Sequence, residues 1–379
     1  MDHKPFFWEI MGSPYPSNFL RDSQKFGETN PIYLIDQFSG KRPALFNKKF
    51  ISTGKVEFPM YACAILDSNI IDAIDKKVSN NATFDGLDSF LRFLIKDGWD
   101  FNLLFYYLEH YAKSSISDFK KNAIRRTESL LKLHSMDEKF FLTTGKISSN
   151  LEAVNHYTQQ AGVKNLAEVA ESRVISFIGQ WDKRALVNMT ELTQIALIKM
   201  VLIHKYEQPQ SSAIKKYNEL VRFLRVDVGI MLARESHIGL HYFCDLAGKL
   251  LGIQSNTSIE RALSIIKSTA WDIFLLRMPE ALFSENPDEL CIAYIATHEK
   301  SLQNLANLFT IESIKSTPSG FVPRIGYSMV GIDKSISENI AKDIDEPEAQ
   351  TDFRIKKSFN SPTGLLSAME AELRRFCSN

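Results

Sequence analysis

The chain has 379 residues, enough for two or three domains at roughly 100–200 residues each. Lys+Arg and Asp+Glu both number 45, so the net charge is zero; a uniformly basic nucleic-acid coat and an acidic disordered tail are excluded, although a local basic groove is not. The four cysteines, Cys63, Cys244, Cys291 and Cys377, contain no CxxC pair and are too few for a disulfide scaffold, which suits a reducing cytoplasm.

In chain order, Met1-Asp2-His3-Lys4-Pro5 lacks the apolar core of a signal peptide, and no uninterrupted apolar run along the chain reaches the ~18 residues of a membrane span. A cytoplasmic protein without a membrane partner is expected. Residues 1–60 are rich in Pro, Phe, Tyr and Gly, with short apolar runs such as Ile32-Tyr33-Leu34-Ile35. They predict an irregular N-terminal arm with short strands. Tyr61 to Leu66 is apolar at every position, as in a strand buried on both faces of a parallel sheet. Asp67-Ser68-Asn69 closes it, and a helical pattern starts at Ile70. Residues 85–225 show helical spacing throughout and predict a large all-helical insertion, including a long helix near Leu192–Ile203.

Further helices are predicted over Arg234–Leu251 and Ser258–Ile266, with another beginning at Ala270-Trp271-Asp272. Cys291 to Ala296 is a second buried strand, followed by Thr297-His298-Glu299 and a helix through Leu305. Residues 311–379 are expected to be a C-terminal extension, with an acidic linker over Asp333–Asp352 and a short helix over Leu365–Phe376. The expected fold is α/β: a central parallel sheet flanked by helices in a domain spanning 61–310, interrupted by the helical insertion.

Both buried strands end in acids, Asp67 and Glu299. In a parallel sheet the carboxyl ends lie on one edge, where ligand crevices form. Asp272 and Glu235, each near an expected helix start, extend the set to four. Carboxylates gathered in one crevice resist joint ionisation, and a hard divalent cation is the usual reason to gather them. Ile65-Leu66-Asp67-Ser68-Asn69-Ile70-Ile71 resembles the opening motif of PIN-domain nucleases. Ala270-Trp271-Asp272-Ile273-Phe274-Leu275-Leu276 resembles their third-acid helix, and Ala296-Thr297-His298-Glu299-Lys300-Ser301-Leu302 their last acidic motif.

The resemblance places the family's first acid on Asp67, the third on Asp272 and the last on Glu299; the second falls best on Glu235, with Glu191 and Asp227 as rivals. The resemblance covers residues 61–78 and roughly 226–310, and the long interval from Asp67 to Glu235 requires the helical insertion. It implies a PIN-like central sheet and a metal-dependent endoribonuclease that hydrolyses RNA. Mg²⁺ or Mn²⁺ would be held by Asp67, Asp272 and Glu235, with Glu299 assisting, and Ser68, Asn69 and Thr297 would position Asp67 or a metal-bound water.

Plainer readings stand beside these. Asp-Ser-Asn after a strand is also helix-cap chemistry, and Glu235 is equally a surface carboxylate pairing with Arg234. Lys120, Lys121, Arg125 and Arg126, and separately Lys215 and Lys216, form basic groups that either track a phosphate backbone or simply face solvent. Tyr106, Tyr107 and Tyr111 either stack on unpaired bases or fill a helix core. Arg234 and His241, with six residues between them, resemble the Arg–His pair of HEPN ribonucleases, and His237 with His241 has the spacing of two zinc ligands without an evident third. There is no phosphate-binding GxxxxGK[ST] loop, GxSxG elbow or HExxH helix. The alternative to a nuclease is a non-catalytic α/β-helical scaffold for a protein or RNA; self-association and a regulatory protein partner are both compatible with the sequence.

Overall fold

The computed structural model of the chain describes residues 8–13, 23–55, 60–80, 82–247, 250–282, 290–318, 320–344 and 363–377. The N-terminal pentapeptide and the part of the expected acidic linker beyond residue 344 lie outside these residues. The strands, in order, are β1 (Trp8–Ser13), β2 (Gln24–Phe26), β3 (Ile32–Ile35), β4 (Arg42–Asn47), β5 (Met60–Leu66), β6 (Asp100–Asn102), β7 (Leu290–Thr297), β8 (Phe309–Thr317) and β9 (Gly320–Tyr327). The chain divides into two compact units. One comprises Met1–Val187, Leu275–Ala306 and Thr310–Gly326; the other comprises Asn188–Phe274, Asn307–Phe309 and Tyr327–Asn379.

The first unit is mixed α/β. Its central sheet has the order β2-β3-β7-β5-β6. β5 and β7 run parallel, in a register that pairs Leu66 with Ala296, and β6 extends the parallel layer on the far side of β5. From Ala62 to Leu66, and along all of β7, the side chains are buried, because the sheet is covered on both faces; this is why Ala62–Leu66 and Leu290–Ala296 are apolar at every position. On the other side of β7 the sheet turns antiparallel, through β3 and β2.

Two expectations are corrected here. Part of the presumed N-terminal arm completes the central sheet through β2 and β3, and β1 and β4 join β8 and β9 in a second sheet of order β4-β1-β8-β9. Phe309–Thr317 and Gly320–Tyr327, expected mostly as extension, are therefore strands. β1 pairs antiparallel with both β4 and β8.

Helix α1 (Lys48–Thr53) closes the first segment; its N-cap is Asn47, whose side chain accepts from the Phe50 amide. α2 (Ser68–Asn80) and α3 (Leu87–Lys96) carry the chain from β5 to β6, the crossover that a parallel pair demands. α4 (Leu104–Lys113) follows β6, and then come α5 (Ile116–His134), α6 (Glu138–Thr144), α7 (Leu151–Ala161), α8 (Leu166–Gln180) and α9 (Lys183–Asn188). Ser115, Asp137, Asn150 and Asn165 cap α5 to α8 by accepting from backbone amides one turn on. Leu131 of α5 packs with Leu166, Val169 and Ala170 of α8. The region 85–225 is thus not wholly helical, since β6 lies within it and the first unit ends near Val187.

The second unit is built on helices. α10 (Glu191–Leu202) is buried from Thr193 to Leu202, the mark of a central helix that is apolar all round. By length and composition alone the helical run Lys183–Glu207 could cross a membrane, yet 72% of its most apolar window is buried inside the protein. Around α10 stand α11 (Ala213–Phe223), α12 (Ala233–Phe243) and the helix Leu365–Cys377. α12 stops eight residues short of the expected Leu251, because Asp245 takes a left-handed conformation (φ 57°) that a helix cannot continue through. α13 runs unbroken from Ile259 to Leu275, since Lys267-Ser268-Thr269 contains no helix breaker. Asp272 therefore sits in a last turn and not near a helix start.

Candidate functional site

The parallel register brings the carboxyl ends of β5 and β7 side by side, and the Asp67 amide continues the ladder by donating to the Ala296 carbonyl at 3.0 Å. Asp67 and Thr297 consequently face each other. Thr297 Oγ1 donates to Asp67 Oδ2 at 2.6 Å, Asn69 Nδ2 donates to the same oxygen at 2.8 Å, and the Ser68 amide donates to Oδ1 at 2.6 Å. Asn69 is itself held, because its Oδ1 accepts from the His298 amide at 3.2 Å. The Glu299 amide donates to Thr297 Oγ1 at 3.0 Å, which fixes the start of the segment after β7.

A third parallel strand contributes through the helix that follows it. Glu109 of α4 accepts from Ser68 Oγ at 2.5 Å and from Lys113 Nζ at 2.6 Å. Asp67 is 8% exposed and Thr297 fully buried. Burial is the main force pushing the Asp67 pKa up, to about 6. The Thr297 hydrogen bond opposes it, and the negative charges of Glu109 and Glu299 add to it. The Asp67 carboxylate is therefore crowded by two acids and held in place by three donors.

Asp67 is the N-cap of α2, and its backbone carbonyl accepts from Ile70 and Ile71 in the ordinary way. Its side chain, however, takes the Ser68 amide and two side-chain donors instead of the second or third helical amide that a capping carboxylate usually takes. A carboxylate offers about four acceptor positions, so three donors leave room for one more partner.

Of the acids expected to gather, Asp67 and Glu299 lie in the first unit, together with Ser68, Asn69 and Thr297. Glu235 and Asp272 lie in the second. Glu235, in the first turn of α12, is fully buried and accepts from Thr193 Oγ1 at 2.6 Å, so it is no surface carboxylate. The rivals Glu191 and Asp227 also belong to the second unit. Among the described residues no group of three or more His, Cys, Asp or Glu side chains is arranged to hold a metal ion. Glu109 was not expected from the sequence. Its signal is weak: one acid on the outer face of an aromatic helix, informative only once β6 is placed beside β5.

The basic residues divide. Arg125 pairs with the buried Asp75 at 2.5 Å, and Arg126 bonds Asp72 and the Tyr106 hydroxyl, both at 2.9 Å, so both serve the fold. Lys120 pairs with Glu171 at 3.1 Å, while Lys121 and Lys215 are exposed. Lys216 is buried, with its amine 3.1 Å from both His204 Nδ1 and the Pro209 carbonyl. Tyr106, Tyr107 and Tyr111 are buried core. On α12 the rings of His237 and His241 lie 4.7 Å apart, and burial, with a smaller push from His241, lowers the His237 pKa to about 4. Arg234 packs over the Phe309 ring at 5.6 Å.

No protein-family signature, characterised protein or solved structure matches this chain.

Proposed function

We propose that the chain is a PIN-like, metal-dependent endoribonuclease whose centre is Asp67, with Glu109 and Glu299 beside it. The observation that supports this reading is the crowding of a buried, hydrogen-bonded aspartate by two further carboxylates at the carboxyl edge of parallel strands. Such crowding is costly without a cation and is relieved by one.

The residues fit a hard divalent ion by donor chemistry. Mg²⁺ and Mn²⁺ take oxygen ligands and are commonly held by one or two carboxylates, the remaining positions going to water and substrate phosphate. Asp67 would be the principal ligand, and Glu109 and Glu299 would complete the negative charge. When bound, the ion would lower the pKa of a water molecule and neutralise charge on the scissile phosphate. The protein's own contribution is positional. Thr297, Asn69 and the Ser68 amide hold the Asp67 carboxylate in one orientation, and Ser68 links it to Glu109. Lys121, exposed on α5 in the same unit, is a candidate contact for the phosphate backbone.

The test is cleavage of end-labelled single-stranded RNA with and without Mn²⁺. Cleavage that requires the ion and is lost in Asp67→Asn supports the proposal. Glu109→Gln and Glu299→Gln report on the neighbouring acids, and Glu235→Gln and Asp272→Asn on the second unit. Absence of cleavage, or full activity in Asp67→Asn, sinks it and favours the scaffold reading.

A further inference from the structure

A cavity of about 350 Å³ opens in the first unit, and none of the residues that hydrogen-bond to the Asp67 carboxylate is among those that line it. Its walls come from β6 and helices α4, α5, α7 and α8. They include Phe101, Tyr107, Leu130 and Leu131, with His134, Tyr157 and Arg173. The volume is that of a small-molecule site, mostly apolar with a few placed polar groups. The polar groups carry both signs. The Arg173 guanidinium lies 5.5 Å from the centre of the Tyr157 ring, while Asp100, with its carboxylate 4.0 Å from His134 Nδ1, and the Asn102 amide lie on the β6 side. Phe101 and His134 stack face to face, 4.0 Å apart and 11° from parallel, forming a flat partition.

On the other side a second cavity, of about 280 Å³, shares Asp100, Phe101 and His134 and is lined by Trp99. The Trp99 indole N–H is buried without a hydrogen-bond partner, which a native protein seldom tolerates unless something supplies an acceptor.

We propose that these cavities form a nucleotide-binding site distinct from the Asp67 centre. A ligand that satisfies the first cavity must be flat and largely apolar. It must bring a donor to Asp100 and an anion to Arg173, whereas Asn102 is already engaged, its Nδ2 donating to Cys63 Sγ and its Oδ1 accepting from the Leu104 amide. A nucleobase with an exocyclic amino group, joined to a phosphate, meets these requirements. A fatty chain leaves Asp100 and Arg173 unanswered, and a bare phosphate leaves the aromatic walls bare and meets repulsion from Asp100.

The test is calorimetric titration of the full chain in EDTA with each of the four ribonucleoside 5′-monophosphates. Adenosine, inorganic phosphate and benzoate serve as comparison probes. The expected result is saturable binding of at least one monophosphate, tighter than any comparison probe. Arg173→Ala, an exposed substitution, should weaken the monophosphate by roughly tenfold, as loss of one charge-assisted contact implies, and leave the nucleoside unchanged. His134→Ala should weaken both, and Asp67→Asn should change neither.

No saturable binding of any monophosphate at millimolar concentration would overturn the proposal. So would tighter binding of benzoate, an affinity indifferent to Arg173→Ala, or one lost in Asp67→Asn. If His134→Ala does not fold, the Arg173 variant alone decides. Because the titration is metal-free and measures no cleavage, its failure leaves the nuclease reading where it stood.

Discussion

Thr297 Oγ1 donates a 2.6 Å hydrogen bond to Asp67 Oδ2 across two parallel strands, while Glu109 and Glu299 press on the same carboxylate with like charge. The two influences act in opposite directions on one proton. The hydroxyl stabilises the ionised form, and the acids disfavour it. Thr297→Val should therefore raise the Asp67 pKa above about 6, and Glu109→Gln should lower it toward the ordinary carboxylate range. Carboxyl-carbon NMR titration of the two variants and wild type measures this directly. Shifts of the same sign would show that the pair does not set the Asp67 proton affinity.

The same raised pKa predicts a pH dependence of stability. The ordinary value is 3.8 and the folded value about 6, so the folded state binds the Asp67 proton more tightly than the unfolded chain does. Its contribution to stability is fully present below about pH 4 and is lost as the pH rises through about 6; at pH 7 the ionised group costs on the order of 3 kcal/mol. Asp67→Asn cannot titrate. Urea unfolding between pH 4 and 7 should show wild type losing stability relative to the variant across that window. Any fixed cost of the amide shifts the whole curve without changing its slope, so parallel profiles would refute the assignment.

How much of this was legible before the structure depends on the kind of signal. The strands β5 and β7 announce themselves because burial on both faces forces an apolar residue at every position from Ala62 to Leu66 and from Leu290 to Ala296. Their ends point to Asp67, Asn69 and Thr297 for the same reason. Glu109 was hidden because its relation to Asp67 depends on β6, a three-residue strand too short to leave a pattern of its own. The hairpin of β8 and β9 was missed because Glu312, Lys315 and Arg324 give it a polar face, and because its partner β1 lies some three hundred positions away. The end of α12 rests on one positive φ at Asp245, which no periodicity foretells.

A backbone contact between the β2–β3 turn and the start of α3 makes a separate prediction. Gly86 adopts φ 83°, and a Cβ placed there would run into the Phe26 carbonyl. The preceding residue, Asp85, holds the same turn by accepting from the Glu28 and Thr29 amides, each at 2.5 Å. Gly86→Ala combines a strained left-handed alanine with a clash against fixed backbone, and should destabilise by about 2 kcal/mol or more. Thermal unfolding measures it. A melting temperature within a degree of wild type would mean that this turn moves freely.

The cation proposal can be separated from catalysis by stability alone. An ion that binds the folded chain and not the unfolded one stabilises it by mass action, about 2.7 kcal/mol at a hundred times its dissociation constant. Mn²⁺ should therefore raise the melting temperature of wild type at pH 7, do so less in Glu299→Gln, and not at all in Asp67→Asn. Protons compete for the same carboxylate, which is about half protonated near pH 6, so the increment from Mn²⁺ should shrink as the pH falls from 7 to 5. Bound cation should correspondingly push the Asp67 pKa down. An equal rise in wild type and Asp67→Asn would place the ion elsewhere on the protein, and an increment that grows toward pH 5 would rule out a carboxylate ligand that titrates in this range.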